Sequence, residues 1–393
     1  MSTSLESGGN NQRFGYYANV HYIDEEGWRD LSASDALNFY GALDWRGVRG
    51  SASLSFQYAD TDLRGNGPAP VGLLAIDREA IFTAPDITDN ELHAVTFDAS
   101  HDFSDTFNVG GTAFYRKVET RSFNGDASEF AECDLGDGDF LIEELNEDGL
   151  EALGLDDDDV CDSNDLAVAD PEALEDALNA LAGDPEAFEI DDLTDELSGT
   201  GVLNEEAINN VSSREQEAYG TDLQLVFTRD LFARSNYFVA GFNYYRGDAE
   251  FDSRIELANL DPVTRSTAGL GVGTFLDSEA TQVSTSSETW SFYFLDNFAL
   301  TEQFTLTFGG RYNDTAIRLR DRSGERRELN GDHDFSRFNP TVGGTFSARE
   351  DLNVYASYSE SSRAPTPIEL ACNEGVFEVA RQIAIEEGED PDD

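Results

Sequence analysis

The feature that most constrains this chain is an alternation of apolar and polar residues with a period of two, held over segments of about ten residues. Ala52, Leu54, Phe56 and Tyr58 alternate with Ser51, Ser53, Ser55 and Gln57. Phe304, Leu306, Phe308, Gly310 and Tyr312 alternate with Thr305, Thr307, Gly309 and Arg311, and Leu352, Val354, Ala356 and Tyr358 with Asn353, Tyr355, Ser357 and Ser359. Segments near 91–100, 107–116, 219–228, 236–246, 289–299 and 338–347 follow the same rule, and 14–23 and 38–46 follow it more loosely. About ten residues is the length at which a tilted strand crosses a hydrocarbon layer, whereas soluble strands average nearer five or six.

The connections are as informative as the strands. Short turns at 46–50, 101–106, 229–235, 300–303 and 348–351 alternate strictly with long loops at 24–37, 60–90, 117–218, 247–288 and 313–337. An up-and-down membrane barrel has this asymmetry. Proline agrees, falling in predicted loops apart from Pro340, which is expected near a strand start. Aromatics gather toward strand ends, as at an interfacial girdle. The expected fold is all-β, an antiparallel up-and-down transmembrane β-barrel segment of ten or eleven strands. Its expected parts are 1–116, an acidic loop insertion at 117–218, further barrel at 219–360, and the start of a loop at 361–393.

Composition narrows the function. No run approaches the 18 or so apolar residues of a membrane helix, which excludes an α-helical membrane protein. The net charge is −55 and Lys117 is the single lysine. Nothing so acidic neutralises a phosphate backbone, so a nucleic-acid partner is excluded. The acidity reads either as solvation of surface loops or as capture of cations.

Much of that charge lies in 117–218, where helical signals replace strand signals. Asp170, Pro171 and Glu172 provide a cap, a proline at the first helical position and an acidic first turn. Leu174, Ala177, Leu178 and Leu181 then recur at helical spacing, and Gly183 supplies a stop. A second helix is expected from about 140 to 153. Cys133 and Cys161 bracket an acidic segment and are expected to form a disulfide, contributing about 3 kcal/mol on the chain-entropy estimate. The expectation is a partly helical, disulfide-pinned insertion over the barrel mouth. Asp134, Asp137 and Asp139, with Asp156, Asp157, Asp158 and Asp159, are weak candidates for a divalent cation. Their spacing does not match an EF-hand, and a solvated acidic face is the alternative.

Catalytic patterns are missing from the sequence. His21, His93, His101 and His333 are scattered over different segments, and no metalloprotease, nucleophile-elbow or phosphate-loop motif occurs. An enzyme is not expected, and neither is a cofactor.

Three motifs in the last third carry a resemblance. They are Gly309-Gly310-Arg311-Tyr312 after a strand and a short turn, Asn339-Pro340 at the next strand, and Arg363-Ala364-Pro365-Thr366 after a tyrosine-rich strand. Upstream, 22–30 and 59–67 fit the same scheme. In order and spacing the chain resembles the β-barrel of TonB-dependent outer-membrane receptors. That resemblance implies a location in outer-membrane lipid and uptake of a small nutrient such as a ferric siderophore, driven by the TonB system through a plug domain. It also implies a barrel of about 22 strands, so the chain is expected to be an internal portion, with its signal peptide upstream. Arg116, Arg246 and Arg311 are candidates to line the lumen, and Cys372 resembles a position that pairs with a later cysteine. The alternative is a non-transporting surface or ion-binding protein acting through its acidic loop.

Overall fold

The computed structural model describes residues 1–372 except 66, 144, 157, 163–165, 186 and 325, together with 376, 379 and 381–383. The strands are β1 (Ser2–Asn10), β2 (Phe14–Glu25), β3 (Ser34–Arg46), β4 (Gly50–Arg64), β5 (Asp86–Ser104), β6 (Phe107–Ala127), β7 (Phe130–Leu135), β8 (Gly138–Glu143), β9 (Leu197–Gly199), β10 (Ala207–Phe227), β11 (Asn236–Ala258), β12 (Gly271–Ala299), β13 (Phe304–Asp321), β14 (Gly331–Arg349) and β15 (Leu352–Ser359). Twelve of them, β1 to β6 and β10 to β15, follow one another in a single up-and-down antiparallel path, with β9 added beside β12. Strands β7 and β8 form a separate hairpin. Among the described residues the delineated α-helices are α1 (Val71–Ile76), α2 (Glu147–Leu153), α3 (Pro171–Ala182) and α4 (Pro367–Ala371).

Register sorts the side chains into two faces. Leu43, Leu54, Phe97 and Ala113 lie opposite one another in one lateral row, which continues through Thr221 and Tyr244 to Trp290. That face holds the apolar alternate of every strand, and it stays uncovered: Leu43 is 62% and Phe292 58% exposed. A contiguous apolar surface on this scale is not left to water, and in a barrel it is the outer face. The parallel row beside it, Asp44, Ser53, Asp98, Thr112, Asp222, Asn243, Ser291 and Asn313, is polar throughout and lies on the inner face.

All eleven alternating segments are strands, but several run much further toward the long loops than alternation indicated. Strand β11 continues to Ala258 and β12 begins at Gly271, 12 and 18 residues beyond the expected limits of 246 and 289. Past the aromatic rows β11 keeps alternating but with its phase reversed, charged residues such as Asp248, Glu250 and Asp252 lying on the outer face and Ala249, Phe251, Ile255 and Leu257 on the inner one, so the strand does not continue the pattern of 236–246 although the ladder does. The ladder of β6 likewise runs on to Ala127 and that of β10 begins at Ala207, so the chain leaves the main path at 128–206, where β9 alone rejoins the sheet beside β12, a shorter excursion than 117–218. Strand β1, with Leu5 as its single large apolar residue, gave no signal at all.

Two further differences from the pattern of the sequence are local. The helix expected from about 140 begins only at Glu147, because 138–143 pairs with 130–135 around Gly138, whose φ is +146°. Pro340 is not at a strand start but in the middle of β14. Its carbonyl accepts from the Glu360 amide on the β15 side, just past the last paired residue there, Ser359. The missing N–H therefore faces a place where the ladder has already ended.

Candidate functional site

The connections define two ends of the sheet. Turns at 11–13, 47–49, 105–106, 228–235, 300–303 and 350–351 lie at one end, and every long connection lies at the other. Candidate functional groups are therefore those of the inner face and of the long-loop mouth.

On the inner face Arg311 donates from Nε to Asn313 Oδ1 (2.7 Å), and its guanidinium lies 5.6 Å from the centre of the Tyr293 ring. Tyr293 in turn lies across Gly241, where any side chain would collide with the ring. Asn313 Oδ1 also accepts from Ser291 Oγ (2.9 Å), and Thr112 Oγ1 donates to Asp98 (2.5 Å). Arg116 shares this face, between Ala94 and Ala218. These groups supply a fixed cation, carboxylates and hydroxyls along a wetted wall, able to hydrogen-bond a polar ligand or a polypeptide.

Arg246 does not belong with them. It pairs with Tyr219 and Glu288, the same side as Trp290, and so lies on the outer face. There it forms ion pairs with Asp248 (2.9 Å) and Glu288 (3.5 Å). Two consecutive tyrosines, Tyr244 and Tyr245, blur the alternation just before it, so its side could not be counted from the sequence. Nearby on the outer face Asp60, Glu91, Glu119, Glu215 and Glu250 stand directly opposite one another across five strands. Like charges so placed are mutually destabilising, and Lys117 relieves two of them at 2.9 Å each, Glu119 and Glu215.

The motif residues serve packing. A side chain on Gly309 would strike the carbonyl of Phe294, and one on Gly310 would strike the Phe338 ring. One glycine thus permits close backbone approach and the other makes room for an aromatic ring laid across it. Tyr312 donates to Asp314 (3.3 Å), and Asn339, 7% exposed, donates to Ser362 Oγ (3.0 Å). Arg363 grips Glu369 through both terminal nitrogens (2.7 and 2.6 Å), while Thr366 caps α4 with Glu369 reaching back. Ala364 and Leu370 pack on Ile317 and Leu319, inner-face residues of β13. This segment therefore folds into the mouth.

Arg363, followed by Thr366, holds the Glu369 carboxyl down at about 2, from its ordinary 4.5. A depressed carboxylate contributes stability above its unfolded value and loses it as pH falls through the folded one. Amide protection of α4 is accordingly expected to hold from neutral pH down to about 4.5 and to be lost progressively between 4.5 and about 2, which hydrogen exchange against pH checks.

The 128–206 excursion has its own core of Cys133, Leu150, Leu174, Leu178 and Phe188, with Cys133 and Cys161 joined as a disulfide. Helix α3 has the cap read from sequence, Asp170 accepting from Ala173 N (2.9 Å), and ends at Gly183 in the left-handed region (φ 73°). Leu181 points to solvent, and the buried fourth position is Asn179, bonded to both the N–H and the carbonyl of Phe188 (2.8 and 2.9 Å). Leu141 joins this module to Ile208 and Leu257, again on the inner face. Two separate segments thus narrow the mouth from inside.

The acidic candidates are not drawn together. Asp134 and Asp139 face each other on the β7–β8 hairpin, the Asp137 N–H is bonded to the carbonyl of Ala169, and Asp156 and Asp159 cap each other's backbone. Asp157 and the side chain of Asp158 lie outside the described residues. Among the described residues no group of three His, Cys, Asp or Glu is placed to hold a metal ion. The histidines likewise stay apart; His21 Nε2 is 3.1 Å from Ser2 Oγ, with no acid bonded to its other nitrogen among the described residues.

Comparison with known proteins matches residues 27–384 to the model of the "TonB dependent receptor-like, beta-barrel" family. Among solved structures, the unliganded ferric citrate transporter FecA superposes with a TM-score of 0.57 at 11% identity, over 91% of this chain and 40% of that one. The open form of the ferric-catecholate import receptor Fiu of E. coli K12 gives 0.57 at 12%, over 93% and 54%. The outer-membrane ferripyoverdine receptor of Pseudomonas aeruginosa, bound to ferripyoverdine, gives 0.56 at 14%, over 91% and 40%. The chain thus spans about half the length of these receptors or less, and at such identities the likeness establishes the fold. No curated relative matches in sequence.

Proposed function

The chain belongs to the TonB-dependent receptor β-barrel family, and on that premise we propose that it is part of an outer-membrane receptor that takes up a scarce nutrient such as a ferric siderophore. The observation that carries the membrane placement is a pair of aromatic rows on the outer face. Phe107 and Tyr115, Phe227 and Tyr219, Phe298 and Trp290, Phe304 and Tyr312, and Phe346 and Phe338 each lie eight residues apart along one strand. Eight residues extend about 26 Å, or about 20 Å in height at the usual barrel tilt, close to the apolar band of an outer-membrane barrel. Aromatic rings at both edges sit where lipid headgroups meet hydrocarbon.

In this reading the long loops face outward and the nutrient enters at the mouth narrowed by the 128–206 module and the 363–372 segment. Arg311, Arg116 and the inner-face hydroxyls and carboxylates line the path. A plug domain coupled to the TonB system would release the ligand inward. The inner wall and mouth supply binding and passage, with no bond made or broken by the chain.

The test is uptake of iron-loaded siderophores by cells whose copy of the complete receptor gene is deleted. Uptake of one of them should fall to background, return with the intact gene, and fail to return where TonB is disabled. Unchanged uptake of every siderophore and metal tried, with loss of a surface-binding property on deleting 128–206, would favour the ion-binding alternative.

A further inference from the structure

Just above the loop-side aromatic row the wall sorts charge between its two faces. Outside, across β4, β5, β6 and β10 to β12, one row carries the five carboxylates from Asp60 to Glu250, and the row below it carries Glu217 and Asp248. Inside, the three rows interleaved with these run from Gln57 to Ser287, from Ala59 to Thr285 and from Thr61 to Val283, and they hold no carboxylate. Their charged residues are Arg116 in the first row and Arg214 in the third.

Both arginines are exposed, and among the described residues neither makes an ion pair or a side-chain hydrogen bond. The chain has 80 acidic residues against 25 lysines and arginines, and elsewhere toward the loop end Arg246, Arg320, Arg322 and Arg363 each hold a carboxylate. The neighbouring wall offers these two none. In the third row Asn90 donates to Thr61 Oγ1 (3.2 Å) and accepts from Thr120 Oγ1 (2.9 Å), so its polar groups satisfy one another. Arg214 stands opposite Thr120, four residues along β6 from Arg116 and about 13 Å further up the wall. Between the two lies Gln216, and the small residues Ala94, Ala218 and Gly247 beside Arg116 leave the space over it open.

We infer that Arg116 and Arg214, with the Gln216 amide between them, form a site for a small polyanion, a ligand presenting more than one carboxylate group. A planar guanidinium meets a carboxylate through two parallel N–H bonds, and here both forks are left free to do so. The site begins one residue loop-side of Tyr115, at the mouth, where cargo arrives. The acidic module touches the wall at Ile208, six residues or about 20 Å loop-side of Arg214, well beyond the ~8 Å over which physiological salt screens a charge. The inference rests on the uptake reading above and deepens it, giving the cargo a negative charge.

Carboxyfluorescein, a small fluorescent polycarboxylate, is a suitable probe, its anisotropy titrated against the full chain folded in uncharged maltoside micelles. Binding should weaken about tenfold or more in Arg116→Gln and in Arg214→Gln. Arg121→Gln, which removes a charge from the outer face of the same strand, should leave it unchanged. Arg116→Lys and Arg214→Lys keep the charge but lose the fork; they should bind more weakly than wild type, and they replace any glutamine variant that folds poorly. Equal effects of all three glutamine substitutions, or no saturable binding by the wild type, would overturn the site. A neutral or cationic cargo found by the uptake test, with no dye bound, would remove the site and leave the receptor. Dye binding lost in both arginine variants, with no cargo ever found, would keep the site and remove the uptake reading.

Discussion

Leu223→Arg is expected to cost about 2–4 kcal/mol of folding stability in a bilayer, the penalty for a cation near the midplane of a barrel's lipid face. Leu223 lies on the outer face of β10, midway between Phe227 and Tyr219. It is already 45% exposed, so in water the same substitution would be nearly neutral. The adjacent Gln224→Arg faces the polar wall and should cost little. Urea unfolding of both variants in lipid vesicles measures the difference; equal small effects would mean that the apolar face does not meet lipid.

The second large effect concerns the mouth. Removing the Cys133–Cys161 bond by C133A/C161A opens a loop with a sequence separation of 28. Chain entropy places the loss at about 3–4 kcal/mol. Both cysteines are buried against Leu150, Leu174 and Leu178, so the loss falls on a core that serves the module alone. Hydrogen exchange should show protection lost over α2 and α3 but retained across β2 to β6. A loss spread through the sheet would mean that the module and the barrel wall unfold as one unit.

The sequence was most legible where two solvents impose opposite demands on alternate residues. Strands β4, β6 and β13 could be placed because lipid-facing positions are apolar and wall-facing positions polar. Beyond the aromatic rows the phase of β11 reverses, with Phe251, Ile255 and Leu257 on the inner face and Glu250, Asp252 and Glu256 outside, so the alternation in 247–258 does not continue the count from 236–246 although the ladder runs to Ala258. Strand β1 pairs with β2 alongside Tyr16 to Tyr22 but carries Thr3, Ser7 and Gly9 with Leu5 on its outer face, so it has no apolar alternate to read. The β7–β8 hairpin carried a turn signal, Gly136-Asp137-Gly138, that the surrounding acidity obscured. For the inner wall, Arg116 and Arg311 followed from counting along well-alternating strands, and Arg246 did not because Tyr244 and Tyr245 interrupt the count. The roles of Gly309 and Gly310 needed the neighbouring strand, since the atoms that exclude a side chain belong to Phe294 and Phe338.

The central claim, one face to lipid and the other to a watery lumen, is tested most directly by single cysteines placed along β10 from 219 to 226 in a Cys372→Ser background. A water-soluble maleimide should label positions 220, 222, 224 and 226, and a quencher dissolved in lipid should reach probes at 219, 221, 223 and 225. That two-residue rhythm, in opposite phase for the two reagents, is the predicted result. Uniform labelling by maleimide at all eight positions, with no lipid contact at any, would contradict it.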